Sequence, residues 1–241
     1  MTEQIRPKVA FINLGCRVNR VEIDGIAQEL ESAGCEPVDA SEADLVVINT
    51  CAVTGEAEAK ARKAVRRAAS LAKKPVVIAT GCVVTLFADE LSRLADNVIV
   101  EPNKAKVASR ALELLGWNCT SQVAWESGVL TPTGRVRPGI KIQDGCDNRC
   151  TYCIVWRARG ASRSVAASEV VRQVQKEIEH GVQEVVLTGI NLGRYKDTSE
   201  KSTIQLPELL KILLEDTSIG RIRLSSIEPQ DITPALLDCI A

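Results

Sequence analysis

Short runs of valine and isoleucine, separated by stretches of helical length, constrain the fold of this chain more than any other feature. KVAFIN (8–13), DLVVINT (44–50), KPVVIAT (74–80) and NVIVE (97–101) are apolar almost end to end. Strands buried on both faces of a parallel sheet read this way. Between them the pattern turns helical at about 20–33, 55–73, 85–95 and 103–115. Gly34 stands where a helix C-cap belongs, and Thr54 stands as an N-cap with Glu56 and Glu58 behind it. Such alternation predicts an α/β fold whose first domain, residues 1–116, is an open parallel sheet with right-handed crossovers.

Residues 117–138 lose the periodicity and collect Gly, Pro, Ser and Thr, as a linker does. A second β/α series then runs from 139 to 241. It has strands ending at 143 and covering 184–189 and 221–229, and helices over 167–180, 205–216 and from 234. Three such units make part of a β/α barrel. A partial barrel leaves an open edge, so the natural protein is expected to continue beyond Ala241 through the rest of the barrel. Hydrophobic residues make up 45% of the chain and aromatics only 3%, so the cores must be built from Ala, Val, Leu and Ile. A net charge of −1 argues against a uniformly basic DNA-coating protein, while leaving room for local basic patches. No segment has the apolar length of a membrane span, and a cytoplasmic location without membrane contact is expected.

Nine cysteines fit a reducing compartment and metal binding better than a disulfide framework. Cys146, Cys150 and Cys153 spell C-x3-C-x2-C directly after a strand. Three thiolates on one loop suit a 4Fe–4S cube left one ligand short. Zinc would want a fourth nearby Cys or His, and His180, the only histidine, lies downstream on a predicted helix. A second triad is positional. Cys16, Cys51 and Cys82 each follow a predicted strand, and in an open parallel sheet the C-terminal strand ends line one edge, where ligands bind. Small core cysteines are the alternative for this triad. Cys35, Cys119 and Cys239 have no partner at ligand spacing and read as core or surface residues.

The run GCDNRCTYCIVWRARGASRS (145–164) resembles the cluster loop of radical S-adenosylmethionine methylthiotransferases. LGCRVN, INTCAVTGEAEAK and ATGCVV are similar to the three cysteine motifs of that family's N-terminal domain, and VVLTGINLGRY and RIRLSSIEP are similar to its later segments. GCRVN, NTCAVT-x-EAE and SSIEP most resemble the branch that acts on N6-threonylcarbamoyladenosine beside the tRNA anticodon. The chain departs from the family at Trp156, where proline is common, at Val83-Val84-Thr85 after Cys82, and at Val165.

The resemblance implies two 4Fe–4S clusters, one per triad, with S-adenosylmethionine bound at the unique iron of the cluster on Cys146, Cys150 and Cys153. Reductive cleavage gives a 5′-deoxyadenosyl radical that removes hydrogen from C2 of the adenine. The cluster on Cys16, Cys51 and Cys82 carries the sulfur, which is methylated and transferred as a methylthio group. Partners implied are tRNA, a flavodoxin- or ferredoxin-like electron donor and a sulfur donor, and the resemblance also implies a small C-terminal RNA-binding domain beyond the barrel. Gly189 and Asn191, after the second strand of the barrel, are candidates for contact with the cofactor, as are Tyr152 and Glu228. For Tyr152 plain packing is the alternative, and for Glu228 a simple loop carboxylate. Arg157, Arg159 and Arg163 crowd the loop and are candidate contacts to RNA phosphates. The basic run Lys60 to Lys74 reads instead as the solvated face of a helix. Other readings are a methylthiotransferase for isopentenyl-adenosine in tRNA or for a ribosomal-protein aspartate, an iron–sulfur redox carrier or sensor, and a zinc-stabilised RNA-binding module.

Overall fold

The computed structural model describes residues 6–117, 135–199 and 202–240, and divides the chain into two compact units, Met1–Thr131 and Pro132–Ala241. In the first, β1 (Lys8–Asn13), β2 (Glu36–Pro37), β3 (Leu45–Thr50), β4 (Val76–Gly81) and β5 (Val98–Val100) form one sheet in the order β2-β1-β3-β4-β5. All its pairings are parallel. Central strand β3 is buried at every position, which explains its unbroken apolar run. Helix α1 (Arg17–Ser32) buries Val18, Asn19, Ile23, Ile26 and Leu30, one stripe at helical spacing. It packs with α4 (Val107–Leu114) over Val9, Leu45, Val47 and Ile78. Helices α2 (Gly55–Ala69) and α3 (Cys82–Ser92) pack against each other and on β3 and β4.

The expected caps are present. Thr54 accepts a hydrogen bond from the Ala57 amide at 3.1 Å. Gly34 takes φ +92° and its amide reaches Glu31 O, while the Cys35 amide reaches Leu30 O, a closure only a left-handed residue makes. Helix α2 stops at Ala69, before Lys73 and Lys74, and α3 begins at Cys82 itself. On α2, Lys60 pairs with Glu56 and Arg62 with Glu58 and Glu90, in keeping with a solvated charged face. Cys35 lies inside the core. Of the segment expected as a linker, 118–134 lies outside the described residues, Cys119 included. Trp117 belongs to the first unit, its ring Nε1 donating to Ala33 O at 2.8 Å.

The second unit is built on three parallel strands, β6 (Gly139–Lys141), β9 (Glu184–Thr188) and β12 (Arg221–Leu224), in the order β12-β9-β6. Between β6 and β9 come β7 (Gln143–Asp144), the short α5 (Val155–Arg159), β8 (Arg163–Ser164) and α6 (Ala167–Glu179). After β9 come β10 (Lys196–Asp197), β11 (Ile204–Gln205) and α7 (Leu206–Asp216), and α8 (Pro234–Ile240) follows β12. Strands β7 and β8 pair antiparallel, as do β10 and β11. The expected strand over 221–229 ends at Leu224, the last residue paired with β9; Ser225 adds one backbone bond to Leu187 O at 3.0 Å, and Pro229 opens a 3-10 turn further on. Leucine and valine from α6 and α7 close the core over Ile140, Val185 and Leu187. Tyr195 is its one buried aromatic. Its hydroxyl donates to Val165 O at 2.8 Å, and burial pushes the phenol pKa well above its ordinary value.

Candidate metal and cofactor sites

In the first unit the three cysteine-bearing turns leave adjacent strands. Thr50 and Gly81 are register partners, so Cys51 and Cys82 start level with each other at the C-terminal edge of β3 and β4. Cys16 caps α1, three residues beyond Asn13, whose register partner is Asn49. A buried amide pair ties the turns together. The Asn19 side chain donates to Asn49 Oδ1 at 3.1 Å and to Thr50 O at 2.8 Å, and Asn49 Nδ2 returns a bond to Asn19 O at 2.8 Å. The Cys16 thiol lies 3.4 Å from Asn19 Oδ1. Both asparagines are fully buried. Gly15 and Gly81 make room for them, since a Cβ at either position would come within about 2.4 Å of an asparagine side chain. Asn13 Oδ1 and Thr80 Oγ1 are buried at the same edge with no hydrogen-bond partner.

In the second unit the loop holding Cys146, Cys150 and Cys153 leaves β7 and returns through α5 to β8. It is stitched along its length. Cys146 N donates to Gly160 O at 3.0 Å, Cys153 N to Cys150 O at 3.1 Å, and Ser162 N to Asp147 Oδ1 at 3.0 Å. Gly145 sits at φ +73°, with Ala161 O only 2.0 Å from where a Cβ would stand. A left-handed φ costs an ordinary residue about 1–2 kcal/mol, and here the clash adds to it. Gly145→Ala is therefore expected to break the Cys146–Gly160 bond, read as faster amide exchange at Cys146. Gly181, at φ +82° but with open space around its Cβ position, should tolerate Ala at the backbone cost alone, seen as a small drop in melting temperature.

Asp144 anchors the base of the loop. Its carboxylate takes Arg159 Nη1 at 2.8 Å, the Gly145 amide at 2.9 Å, Lys141 Nζ at 3.5 Å and Arg163 Nη2 at 3.7 Å. The Arg159 side chain is only 3% exposed. It braces the loop from inside and has no face to offer a phosphate, which corrects the expectation that all three arginines line an RNA path. Arg157 and Arg163 are exposed. Arg149, also exposed, lies over the Trp156 ring at 5.6 Å.

A cavity of about 450 Å³ opens beside the loop, lined by Cys146, Asn148, Ser162, Asn191 and Lys196 among others. Of the expected cofactor residues, Asn191 therefore shares a cavity with a cysteine of the triad. Its Oδ1 is buried and unpaired, an acceptor without a donor. Gly189 lies behind it against Gln143. Tyr152 is 91% exposed and does not line the cavity. Cys150 beside it holds its phenol pKa above the ordinary value, with Glu228, itself exposed, adding a smaller contribution.

The sequence assigns no role to Gln143, which is fully buried and reaches both the loop and the turn after β9. Asn19 and Asn49 likewise stand there without a role. Their signal was present as amide residues beside glycine at strand ends, inside the motifs that carry the cysteines.

The chemistry of the donor set on the loop of the second unit fits a cluster held by three thiolates. None of the eight described cysteines is in a disulfide, and Cys146, Cys150 and Cys153 are half-buried on one rigid loop. Among the described residues no three His, Cys, Asp or Glu side chains converge to hold a single metal ion. A cube takes each thiolate at a different iron, so its ligands stand further apart than those of one zinc. His180 bonds Lys176 O through Nδ1 at 2.7 Å at the end of α6, away from a ligand role.

Residues 8–100 match the family described as "Uncharacterized protein family UPF0004", and residues 140–235 match the "Radical SAM superfamily". The chain is similar to the threonylcarbamoyladenosine tRNA methylthiotransferase MtaB of Chlamydia pneumoniae, 35% identical over 97% of this chain and 54% of the relative. It is 34% identical to the protein of the same name from Bacillus subtilis (strain 168), over 96% of this chain and 54% of the relative. A tRNA-2-methylthio-N(6)-dimethylallyladenosine synthase of Syntrophobacter fumaroxidans is 30% identical over 98% and 55%. The chain thus spans about half the length of these curated relatives. Among solved structures, the radical S-adenosylmethionine methyltransferase TsrM from Kitasatospora setae shares the fold, with a TM-score of 0.59 and 15% identity over 98% of this chain and 59% of that one.

Proposed function

The chain belongs to the radical S-adenosylmethionine methylthiotransferase family, and from that premise we propose that it carries the chemistry of a tRNA methylthiotransferase acting at C2 of N6-threonylcarbamoyladenosine. The observation that carries the reading is the doubled triad. Three cysteines leave adjacent parallel strand ends in one unit, and three stand on one stitched loop beside a cavity in the other. A redox carrier or a simple radical enzyme needs only one such site. The threonylcarbamoyl branch is favoured over the dimethylallyl branch because five relatives named for it match at 30–35%, against a dimethylallyl relative at 30%.

When bound, a cluster on Cys146, Cys150 and Cys153 would supply the electron that cleaves S-adenosylmethionine, and a cluster on Cys16, Cys51 and Cys82 would supply the sulfur. The chain's own residues hold and shield. Asp144 and Arg159 fix the base of the loop, so that its three thiols keep their spacing. Asn191, with an unpaired acceptor beside Cys146, is suited to take a donor from the cofactor's amino group. Gly189 allows that segment to lie close. Tyr152 and Glu228 stand outside the cavity, where they could cover its approach. Asn19 and Asn49 hold the first triad's turns at one sheet edge. Electrons and sulfur would come from a flavodoxin- or ferredoxin-like donor and a separate sulfur donor, in the cytoplasm. No helix among the described residues is long and apolar enough to cross a membrane.

For RNA, Arg157 and Arg163 present exposed charge next to the loop. Replacing Arg157 by Glu and Arg163 by Gln in the full-length protein should weaken binding of an anticodon stem-loop and flatten its dependence on salt, while tRNA-independent cleavage of S-adenosylmethionine continues. Equal affinity and equal salt slope would remove them from the RNA path. Arg159→Glu should act differently. It strands two carboxylates in a buried site, where breaking an ion pair costs about 3–5 kcal/mol, so the loop should lose order and iron together.

The direct test of the reading is to incubate the reconstituted full-length protein with S-adenosylmethionine, reductant and tRNA bearing N6-threonylcarbamoyladenosine. Appearance of its 2-methylthio derivative by mass spectrometry is the expected outcome. Conversion of isopentenyl-adenosine alone would move the assignment to the other branch.

A further inference from the structure

We propose that Gln143 is a positioning residue that locks the cluster loop to the turn after β9, so that Cys146 and Asn191 present themselves to one ligand in a fixed relation. The proposal rests on the radical S-adenosylmethionine reading of the second unit. Gln143 is fully buried, and its side chain bonds in both directions. Its Oε1 accepts from Ile190 N at 2.9 Å and Asn191 N at 2.8 Å, across 47 and 48 residues of sequence. Two backbone amides can meet only the carbonyl end of the side chain, so its orientation is settled by chemistry. Its Nε2 faces Gly145 O at 2.8 Å, Ser162 Oγ at 2.9 Å and Asp144 O at 3.1 Å. One amide thus joins both feet of the cysteine loop to the segment that carries Asn191. Gly189 is part of the same device, since a Cβ there would come 3.0 Å from Gln143 Cβ and Oε1.

Satisfying two buried amides would be a merely structural task, and it needs only the oxygen. Joining the loop to the turn needs the nitrogen as well. The two ends can be separated by substitution. Gln143→Glu keeps oxygens for Ile190 and Asn191, but an ionised carboxylate has no hydrogen to give and repels the carbonyls of Asp144 and Gly145. Gln143→Met keeps similar bulk and removes both functions.

Both variants are to be reconstituted anaerobically and assayed from neutral to strongly alkaline pH, since a buried carboxyl that keeps its proton still donates to Gly145 O and only its ionised form lacks the hydrogen. Circular dichroism, iron content, amide exchange and the S-adenosylmethionine concentration giving half-maximal uncoupled cleavage are measured. In Gln143→Met, exchange over 190–191 should quicken, and the half-maximal concentration should rise at least about tenfold, equivalent to about 1.4 kcal/mol. In Gln143→Glu, exchange over 190–191 should stay slow, exchange at Gly145 and Cys146 should quicken, and the half-maximal concentration should rise as well. Wild-type half-saturation in Gln143→Glu at every pH would overturn the proposal and leave Gln143 as a partner for two amides only. Loss of the loop's iron in both variants with unchanged exchange over 190–191 would also overturn it, making the residue a support of the loop alone. Failure of the wild-type protein itself to cleave S-adenosylmethionine would instead refute the underlying reading, a result the variants cannot mimic.

Discussion

Replacing Cys146, Cys150 and Cys153 together with alanine is expected to remove about half of the iron and acid-labile sulfide of the anaerobically reconstituted protein and to abolish formation of 5′-deoxyadenosine. The loop offers no substitute ligands. Asp144 is engaged by Arg159 and Asp147 by the Ser162 amide, and among the described residues no histidine lies near it, His180 being tied to Lys176 O. With no thiolate left, a 4Fe–4S cube has nothing on this loop to hold it. The fold should survive, because the triad is half-buried at the loop and outside the leucine and valine core. Cleavage activity retained in the triple variant would place the radical chemistry elsewhere in the protein.

Replacing Cys16, Cys51 and Cys82 with alanine should divide the activity rather than end it. These residues belong to the other compact unit, so the cluster loop and its cavity stay as they are. About half of the iron should again be lost, yet S-adenosylmethionine should still be cleaved in a tRNA-independent reaction. Transfer of the methylthio group should fall below detection, because the sulfur source is gone. Cys51 and Cys82 are buried, and alanine there leaves small voids worth on the order of 1 kcal/mol each, too little to unfold a five-stranded sheet. Transfer at the wild-type rate would make this triad three core cysteines and nothing more. Asn49→Ala offers a milder version, expected to lower iron at the first triad while leaving all six cysteines in place.

Much of this was legible in the chain because the governing patterns are local. β3 is apolar from Leu45 to Ile48 since both its faces are covered, and Thr54 and Gly34 mark helix ends by chemistry confined to a single turn. The cysteines announced their edge, as parallel strands deliver their C-terminal residues to one side. What escaped was either too short or too distant to leave a pattern. The two-residue strands β2, β7, β8, β10 and β11 hold no period to read. Gln143 looks like an ordinary polar residue until Ile190 and Asn191 are brought to it across the sheet. Arg159 was grouped with Arg157 and Arg163, for a charged side chain reads as exposed unless its partner is known. That partner, Asp144, lies fifteen residues upstream on the other foot of the loop. The strand expected to reach residue 229 ends at Leu224; Ser225 keeps one backbone bond, to Leu187 O, before the chain turns away ahead of Pro229.

The account turns on one claim, that two cysteine triads in one chain exist to place a methylthio group on a tRNA adenosine. Nucleoside mass spectrometry of tRNA from cells lacking the gene tests it most directly. The expected result is loss of 2-methylthio-N6-threonylcarbamoyladenosine with N6-threonylcarbamoyladenosine accumulating in its place, and recovery on returning the wild-type gene but not one lacking either triad. An unchanged nucleoside profile, with every methylthio-adenosine at its wild-type level, would contradict it.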